Sequence, residues 1–276
     1  MSSRYQRSVA SAWDPAQYNR FAAERQQPFW DLRSLLEPVA APLVADLGCG
    51  DGRLTAALHR DLAARRTDGI DLSETMLAAA SARAEPNLRF SHGDIGAWSG
   101  SGYDVVFSNA ALQWAPDHRA VLERWRGSLA DGGQLAVQMP ANADHPSHTV
   151  LVELAADWIG PAAPPDPVAT NVLRPEEYSG LLDQLGFDRQ VVRLQVYPHR
   201  LASAQEVVEW MRGTSLNRFK ASMGSQEYSR FVEEYRRRLI HALDDEQPYL
   251  YTFKRILLWG RLGAGADLLG ARLSPA

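Results

Sequence analysis

The sequence of 276 residues is poor in cysteine and in long apolar runs. Cys49 is its only cysteine, which excludes an intramolecular disulfide and a thiolate metal cage. The N-terminal stretch MSSRYQRSVASAWDPAQ lacks the apolar core of a signal peptide, and no later segment is apolar over the length needed to cross a bilayer. We therefore expect a soluble, cytoplasmic protein without a membrane partner.

An excess of basic residues is also lacking. The chain carries 29 Lys and Arg against 33 Asp and Glu, a formal net charge of −4. This balance creates no field that would collect the phosphates of DNA or RNA. The densest basic tract, RRRL at 236–239, reads as the solvated side of a helix. We expect no nucleic-acid partner, and the sequence leaves the oligomeric state open.

What the chain does contain is an alternation of short apolar segments and helical patterns. Helices are predicted after the first two of these segments and in DHRAVLERWRGSLADGG, where the closing glycines end the helix. Strands alternating with helices favour a parallel, doubly wound sheet. The five strands are predicted in PLVADLG, RRTDGIDLS, NLRFSHGDI, YDVVFSNAAL and QLAVQMP.

The pattern changes after Asn142, where helices and a proline-rich connector, PAAPPDPVATNVLRP, are added to the sheet. Two further strands are predicted in DRQVVRLQVYPH and YTFKRILLWGRL. No short crossover helix joins them, which favours an antiparallel arrangement of this last strand pair. The sequence thus predicts a seven-stranded, mostly parallel α/β sheet with a helical N-terminal segment and helical insertions.

A glycine-rich loop follows the first predicted strand, in VADLGCGDGRL (Val44 to Leu54). Its glycines let a ligand approach the backbone where side chains would block it. Arg53 occupies the sixth position of the dinucleotide pattern G-x-G-x-x-G, which disfavours a pyrophosphate. Asp46 and Asp51 flank the loop and attract a cation or an amine. The loop therefore predicts a ligand with positive charge and no phosphate.

Acidic residues also stand at the ends of the next two predicted strands. Asp71 ends the second strand, at the distance where an acidic residue meets ribose hydroxyls in this architecture. Asp94 follows the third, where its carboxylate would accept from an exocyclic amine while Ile95 lies against a purine. The three strand ends together predict an adenosine with a cationic tail. A simpler interpretation stays open, in which the glycines only shape a turn and Asp71 caps a helix.

The stretches VADLGCGDG, GIDLSETML, HGDI and YDVVFSNAALQW resemble, in order and spacing, the class I S-adenosylmethionine-dependent methyltransferases. The resemblance implies a Rossmann-like fold and S-adenosylmethionine as the cofactor. Asp46 and the first two glycines of the loop would contact the methionyl end, Asp71 the ribose, Asp94 and Ile95 the adenine, and Asn109 the pocket floor. Cys49 is expected to pack and to have no catalytic role. The predicted cofactor-binding residues are Asp46, Gly48, Cys49, Gly50, Asp71, Leu72, Met76, Asp94, Ile95 and Asn109.

A second resemblance spans most of the chain. The segments WDPAQYNRFAAERQQPFWDLRSLL, SNAALQWAPDH, LAVQMPANADHPSHTVL, YPHRLASAQEVVEWMRGTSLNRF and FKRILL are similar to the trans-aconitate methyltransferases. The acceptor implied is a carboxylate of a small unsaturated tricarboxylic acid, which becomes a monomethyl ester. Because a carboxylate is already ionised at neutral pH, we expect in-line transfer without a general base.

The same resemblance implies how a single domain of residues 1–276 would be organised. Residues 1–36 would form an N-terminal helical lid, residues 37–141 the cofactor-binding core, and residues 142–276 the substrate-side insertions with the last strands. Opposite charges on the acceptor and the sulfonium disappear as the new bond forms, so water slows the reaction. The added helices are therefore expected to exclude water.

The remaining carboxylates of a polycarboxylate need cations or donors, and arginine offers bidentate geometry. Trp114 follows the fourth strand at the carboxyl edge, where ligands bind in such sheets. His145 and His148 have i,i+3 spacing, but no acidic or cysteine partner is spaced to complete a site, so no metal is expected. Surface ion pairs and core packing are the alternative roles for each candidate. The predicted substrate-binding residues are Tyr18, Arg25, Trp30, Trp114, His148, Tyr197, His199, Arg218 and Arg255.

Three alternative functions stay open at the level of sequence. One is methylation of another acid, such as a malonyl thioester, although a carrier-protein substrate would want a basic docking face. The second is a nicotinamide-dependent dehydrogenase on the same sheet, against which Arg53 and the lack of a clear hydride-handling pair count. The third is a non-catalytic cofactor-binding protein, since binding motifs alone do not prove turnover.

Overall fold

The computed structural model describes residues 22–220 and 223–263, with side chains from residue 26 onward. Seven strands of this part of the chain form one sheet in the order β3-β2-β1-β4-β5-β7-β6. β7 is antiparallel to both β5 and β6, and the other strand pairs are parallel. The predicted fold class is confirmed. The strands are β1 Leu43–Leu47, β2 Arg66–Asp71, β3 Leu88–His92, β4 Tyr103–Asn109, β5 Leu129–Pro140, β6 Phe187–Leu201 and β7 Tyr249–Leu262.

The α-helices of the described residues fall into two groups. The helices before residue 142 mostly connect parallel strands, and α3 begins with the predicted cap, because Ser73 Oγ accepts from the amide of Met76 at 3.4 Å. The later helices extend the sheet end formed by β6 and β7. They are α1 Ala22–Arg33, α2 Arg53–Asp61, α3 Glu74–Ser81, α4 His118–Gly127, α5 Pro146–Ile159, α6 Pro167–Asn171, α7 Pro175–Gln184, α8 Gln205–Arg212, α9 Asn217–Lys220 and α10 Ser225–Ala242.

Three apolar clusters hold these elements together. On one face of the sheet, α1 packs Phe29 and Leu32 against Phe107 of β4. On the other face, α4 and α7 pack against alternate residues of the same strands, with Trp125 and Tyr178 fully buried. Because β-strand side chains alternate between faces, strands covered on both sides read as continuous apolar runs.

The third cluster belongs to the part of the chain added after Asn142. Its core is formed by α5, α8 and α10 together with an aromatic ladder at the start of β7. Trp210 of α8 packs edge-to-face on Tyr251, with ring centroids 5.6 Å apart. This helical layer stands beside the carboxyl end of β5 and so places side chains from the second half of the chain next to the first half.

Two predictions of local structure are wrong. The helix predicted through Gly133 ends at Gly127, and β5 begins at Leu129. The pairing of β4 with β5 shifts between Tyr103 and Val105, so the glycines absorb an irregularity within the strand rather than ending the helix. The predicted proline-rich connector also contains a helix, α6, whose N-cap is Asp166 and whose first residue is Pro167.

The strand order reverses between β1 and β4, whose connections leave the sheet in opposite directions. Ligands of doubly wound sheets bind at this switch point, outside the carboxyl ends of the strands. Both β1 and β4 end in residues singled out from the sequence, Asp46 near the end of β1 and Asn109 at the end of β4.

Separately, none of the described helices combines the length and apolar character of a membrane span.

Candidate functional site

The glycine loop, Gly48 to Gly52, connects β1 to α2 at the switch point. The amides of Gly48 and Cys49 both donate to the carbonyl oxygen of Ile70, at 2.7 and 3.1 Å. Gly48 has a φ of +85°, and a Cβ placed on it would lie 2.1 Å from the Cβ of Ala111. Gly50 has a φ of +56°, yet no atom of the described residues lies within 4 Å of its Cβ position. The loop is thus tightly packed at its start and faces open space two residues later.

Asp71, at the end of β2, connects the neighbouring loops. Its Oδ2 accepts from the amide of Gly50 and its Oδ1 from the amide of Ser73, both at 2.8 Å. Its carbonyl oxygen accepts from the amide of Gly93 at 2.9 Å. Burial raises the pKa of Asp71, although the amide hydrogen bonds act in the opposite direction. Each carboxylate oxygen has two lone pairs, so both oxygens retain capacity for the vicinal hydroxyls of a sugar.

Asp46 is buried behind the loop. Its Oδ2 accepts from the hydroxyl of Thr55 on α2 at 2.6 Å. Burial raises the pKa of Asp46 to about 7, against the effect of the Thr55 hydrogen bond and with that of the nearby Asp71 charge. Burial also raises the pKa of the Cys49 thiol far above its usual value, so this side chain packs as a neutral group. A cation bound next to Asp46 would relieve the cost of ionising this carboxyl group.

Past β3, Asp94 and Ile95 form the next part of the edge. Asp94 Oδ1 accepts from the amide of Gly96 at 2.8 Å, which closes a tight turn. The carbonyl oxygen of Ile95 accepts from the indole of Trp125 at 3.0 Å, and the Ile95 side chain packs against the core. These contacts fix the turn at the strand end where the sequence predicts an adenine contact. The remaining predicted cofactor residues are half-buried or buried at the start of α3: Leu72 and Met76.

A cleft opens beside the end of β4, and we call it the acceptor cleft. The space between its lining residues, counted out to the solvent, is about 640 Å³. Asn109 lies at its sheet side, with a buried Oδ1 that has no hydrogen-bond partner among the described residues. The cleft is lined by Asn109, Ala110, Gln113, Trp114, Pro140, His148, Pro167, Val168, Trp210, Met211, Thr214, Ser215, Phe253 and Arg255.

Arg255 supplies a buried positive charge to this cleft. It lies on β7 opposite Pro140, and only 5% of the residue is exposed. One guanidinium nitrogen, Nη1, donates to Gln138 Oε1 at 3.3 Å, and the guanidinium carbon lies 4.6 Å from the centroid of the Phe253 ring. A guanidinium stays charged when buried, so this position attracts anions.

Three ionisable side chains form a buried cluster beside the cleft, which we call the His148 cluster: His148, Asp166 and Arg218. His148 Nδ1 lies 2.6 Å from Asp166 Oδ2, and Arg218 Nη1 lies 3.6 Å from Asp166 Oδ1. Burial works against ionisation of Asp166, but the hydrogen bond with His148 and the charges of His148 and Arg218 outweigh it and lower its pKa. His148 lines the acceptor cleft, whereas the Arg218 side chain is fully buried behind it.

Other predicted acceptor residues lie outside the lining of the cleft. Trp30 packs on Phe29, with ring centroids 5.1 Å apart. The Tyr197 hydroxyl donates to Asp31 Oδ2 at 2.8 Å and so connects β6 to α1. The His199 ring packs 5.2 Å from that of Trp210, behind the lining. Of the predicted acceptor residues, Trp114, His148 and Arg255 therefore line the cleft, and the role of the others stays a prediction. Tyr18 and the Arg25 side chain lie outside the described residues.

Several residues of the site carried no signal in the sequence. Asp166 lies in the segment predicted as a connector, and the DP pair of an N-cap and first-turn proline was the only local sign of its helix. Gln138, which holds Arg255, reads as an ordinary strand residue. His145, considered beside His148 for a metal, caps α5 and contacts the Tyr249 hydroxyl at 3.0 Å. Across the part of the chain that the structure describes, no cluster of three metal-ligating side chains occurs.

Known proteins are similar to this chain in sequence and in fold. A methyltransferase-domain family matches residues 44–133. The trans-aconitate 2-methyltransferase of Deinococcus radiodurans is 40% identical over 254 residues, covering 89% of this chain and 96% of that protein. That of Variovorax paradoxus is 36% identical over 254 residues, covering 91% of this chain and 96% of that protein.

Solved structures with lower identity share the fold. Phosphoethanolamine N-methyltransferase 2 of Haemonchus contortus, in complex with S-adenosyl-L-methionine, has a TM-score of 0.56 at 16% identity; the match covers 86% of this chain and 52% of that one, about half of its length. YcgJ of Bacillus subtilis has a TM-score of 0.56 at 16% identity, covering 87% and 99%. At this low identity, the solved structures support the fold alone. The family is identified by the two relatives that are 36% and 40% identical over nearly their full length. The chain belongs to the trans-aconitate 2-methyltransferase family of S-adenosylmethionine-dependent methyltransferases.

Proposed function

We propose that this protein transfers the methyl group of S-adenosylmethionine to a carboxylate of trans-aconitate and forms a monomethyl ester. The observation that carries the proposal is the acceptor cleft, which extends from Asn109 at the switch point to the buried guanidinium of Arg255. A cleft with a buried cation beside a cofactor edge suits a small anionic acceptor. The named activity of relatives at 36% and 40% identity supports the same acceptor.

The strand-end residues fit S-adenosylmethionine. Above Gly50 there is room for a ligand at the backbone, because its Cβ position meets no described atom within 4 Å. Asp71 presents two carboxylate oxygens beside that space, as a ribose requires. Asp46 is a buried carboxyl group whose raised pKa a cationic ligand would lower again. A phosphate at this position would instead meet the negative charges of Asp46 and Asp71.

The proposed contacts follow from these positions. Asp46, Gly48 and Gly50 hold the methionyl end, and Asp71 holds the ribose. Further along the edge, the adenine lies between Asp94 and the apolar side chains at the start of α3. Cys49 contributes packing, since its buried thiol stays neutral.

When bound, the cofactor supplies a methyl group on a positively charged sulfur, which an ionised carboxylate oxygen attacks with no proton to remove. The chain's own residues then have three tasks. Asn109 and Trp114 border the reacting end of the cleft, and Arg255 and His148 hold carboxylates of the acceptor. The helices after residue 142 keep water out, which favours a reaction that neutralises charge.

We assign the cofactor site and the acceptor cleft to different segments of the chain. Residues 37–141 contain the strand ends of the cofactor site, and residues 142–276 supply much of the cleft wall through α5, α6, α8 and β7. We extend the proposal to a lid formed by residues 1–36, of which the structure describes α1. A cytoplasmic location stays a prediction, as does the expectation of no nucleic-acid or membrane partner. The sequence makes no prediction of the oligomeric state.

An acceptor screen tests the proposal. The purified protein is incubated with S-adenosylmethionine carrying a tritiated methyl group and with trans-aconitate, citrate, isocitrate or dicarboxylates side by side. We expect trans-aconitate to be labelled with the highest kcat/KM of these acids, and base to release the label as expected of a methyl ester. Tight binding of S-adenosylhomocysteine without transfer to any of these acids would overturn the proposed acceptor and leave the cofactor assignment standing.

A further inference from the structure

The His148 cluster differs from the ion pairs on the surface of the molecule. The side chains of His148, Asp166 and Arg218 are 3%, 1% and 0% exposed. Charges withdrawn from water to this extent are costly unless each is paired. Asp166 is also the N-cap of α6, because its Oδ1 accepts from the amide of Val168 at 3.2 Å. A cap alone needs no buried cation or imidazole, so the cluster requires a further explanation.

We infer that Asp166 is a positioning residue of the acceptor site, which holds His148 so that its Nε2 edge faces a carboxylate of the acceptor. This inference rests on the proposed function. Asp166 Oδ2 occupies the Nδ1 edge of the ring at 2.6 Å, and the same ring lines the acceptor cleft. An imidazole held at one nitrogen by a carboxylate has a fixed ring orientation.

Arg218 completes the arrangement from behind. An uncompensated carboxylate in the wall of the cleft would repel a trianionic acceptor. Arg218 lies 3.6 Å from Asp166 and stacks its guanidinium 4.7 Å from the centroid of the Phe219 ring. The carboxylate and the guanidinium carry opposite charges, so together they add no net charge beside the cleft. Arg218 therefore supports acceptor recognition without lining the cleft.

Titratable side chains of neighbouring elements lie around the His148 cluster. Because Nδ1 is turned towards Asp166, Nε2 is the ring nitrogen left for contact with an acceptor carboxylate. His145 is the N-cap of the same helix, and Tyr235 of α10 and Tyr251 of β7 both contact Ser147: the Tyr235 hydroxyl donates to its carbonyl oxygen at 2.7 Å, and the Tyr251 hydroxyl lies 3.2 Å from its Oγ. Burial raises the pKa of both tyrosines, so they stay neutral.

The test is a double-mutant cycle on the full-length protein. His148→Gln removes the imidazole, and Asp166→Asn removes the charge while keeping an N-cap residue of comparable quality. If Asp166 acts through His148, each single variant raises the KM for trans-aconitate about tenfold, changes kcat less, and leaves the affinity for S-adenosylhomocysteine within about twofold. The double variant is then no worse than His148→Gln. Additive effects in the cycle would overturn the inference.

Two controls keep the test interpretable. Asp166→Asn leaves Arg218 buried without a counter-charge, so Asp166→Asn/Arg218→Met serves as the charge-balanced companion if the single variant unfolds. His145→Asn keeps the cap of α5 and changes a histidine outside the lining, and its KM should equal the wild-type value. Calorimetric titration of trans-aconitate into protein loaded with S-adenosylhomocysteine separates the failures. No binding to the wild type would refute the proposed function, whereas equal binding to wild type and variants would refute only the role of Asp166.

Discussion

The glycine loop and the acceptor cleft are built in opposite ways. The loop uses consecutive residues, backbone amides and positive φ angles, and its first contacts go to the adjacent strand β2. The cleft brings together side chains from β4, β5, α5, α6, α8 and β7, which are spread over more than half of the chain. The proposal thus assigns the cofactor to a compact motif and the acceptor to a surface that only the tertiary structure creates.

The difference also extends to electrostatics. Carboxyl groups are concentrated around the loop, where burial raises the pKa of both Asp46 and Asp71. The cleft presents the buried guanidinium of Arg255 and the ring of His148. Carboxyl groups at the cofactor edge suit a cationic donor, and the guanidinium of Arg255 in the cleft suits an anionic acceptor. Substitutions on one side should therefore spare binding on the other.

The largest effect is expected for Arg255→Gln. Loss of a buried cation that meets a carboxylate should lower kcat/KM for trans-aconitate roughly a hundredfold, about 2.7 kcal/mol. The affinity for S-adenosylhomocysteine, measured by calorimetry, should not change. Arg261→Gln is the matched control, since Arg261 lies on the same strand, donates to the carbonyl oxygen of Gly132 and is half-exposed. Equal losses in both variants would contradict a specific role for Arg255.

The next effect is expected for Gly50→Ala. The added methyl group enters the space assigned to the cofactor, so its affinity should fall about tenfold, and KM for the acceptor should stay within about twofold at saturating cofactor. Gly102→Ala is the control, because Gly102 has a φ of +71° and no described atom within 4 Å of its Cβ position. Both variants carry similar backbone strain. If cofactor affinity fell equally in the two variants, backbone strain would explain the loss, and the cofactor would not occupy the space above Gly50.

A smaller effect on binding is expected for Asp46→Asn. With a pKa of about 7, Asp46 loses its charge as pH falls, so wild-type affinity for S-adenosylmethionine should weaken below pH 7. At pH 8 the variant should bind S-adenosylmethionine about fivefold more weakly than the wild type. Its affinity, measured by titrations at several pH values, should not change near pH 7.

The same residue makes a prediction for stability in the absence of cofactor. A carboxyl pKa raised on folding means that the folded chain binds the proton more tightly than the unfolded chain. Asp46 therefore lowers the free energy of unfolding as pH rises from about 4 to about 7, by about 1.4 kcal/mol per pKa unit. Asp46→Asn should remove this loss, which urea titrations at pH 5 and pH 8 would detect. A wild-type protein that gains stability over this range while the variant does not would contradict the assignment.

The smallest effect on the site is expected for Tyr197→Phe. Removing the hydroxyl breaks its hydrogen bond with Asp31, which should cost about 1 kcal/mol of stability. Because Tyr197 lies outside the cleft lining, KM for trans-aconitate should stay within about twofold. Denaturation and steady-state kinetics on one preparation measure both. A large rise in KM would place Tyr197 in the acceptor site after all.

The fold, and the placement of carboxyl groups near the strand ends, could be predicted because their signals are local. The apolar run before the first glycines marks the buried strand β1, and Asp46, Asp71 and Asp94 lie at or near the ends of predicted strands. The contact of His148 with Asp166 depends on how α5 and α6 pack across the connector between them, and that of Arg255 with Gln138 depends on the pairing of strands far apart in the chain. The glycines at 132 and 133 misled the prediction of α4 because tertiary pairing extends β5 through them.

The central claim is that this chain esterifies trans-aconitate. The most direct measurement incubates the protein with trans-aconitate and S-adenosylmethionine carrying a carbon-13 methyl group, and follows the product by NMR. The proposal predicts one labelled methyl ester per S-adenosylhomocysteine formed. Binding of both ligands without an ester signal, or a label that appears only on another class of acceptor, would contradict it.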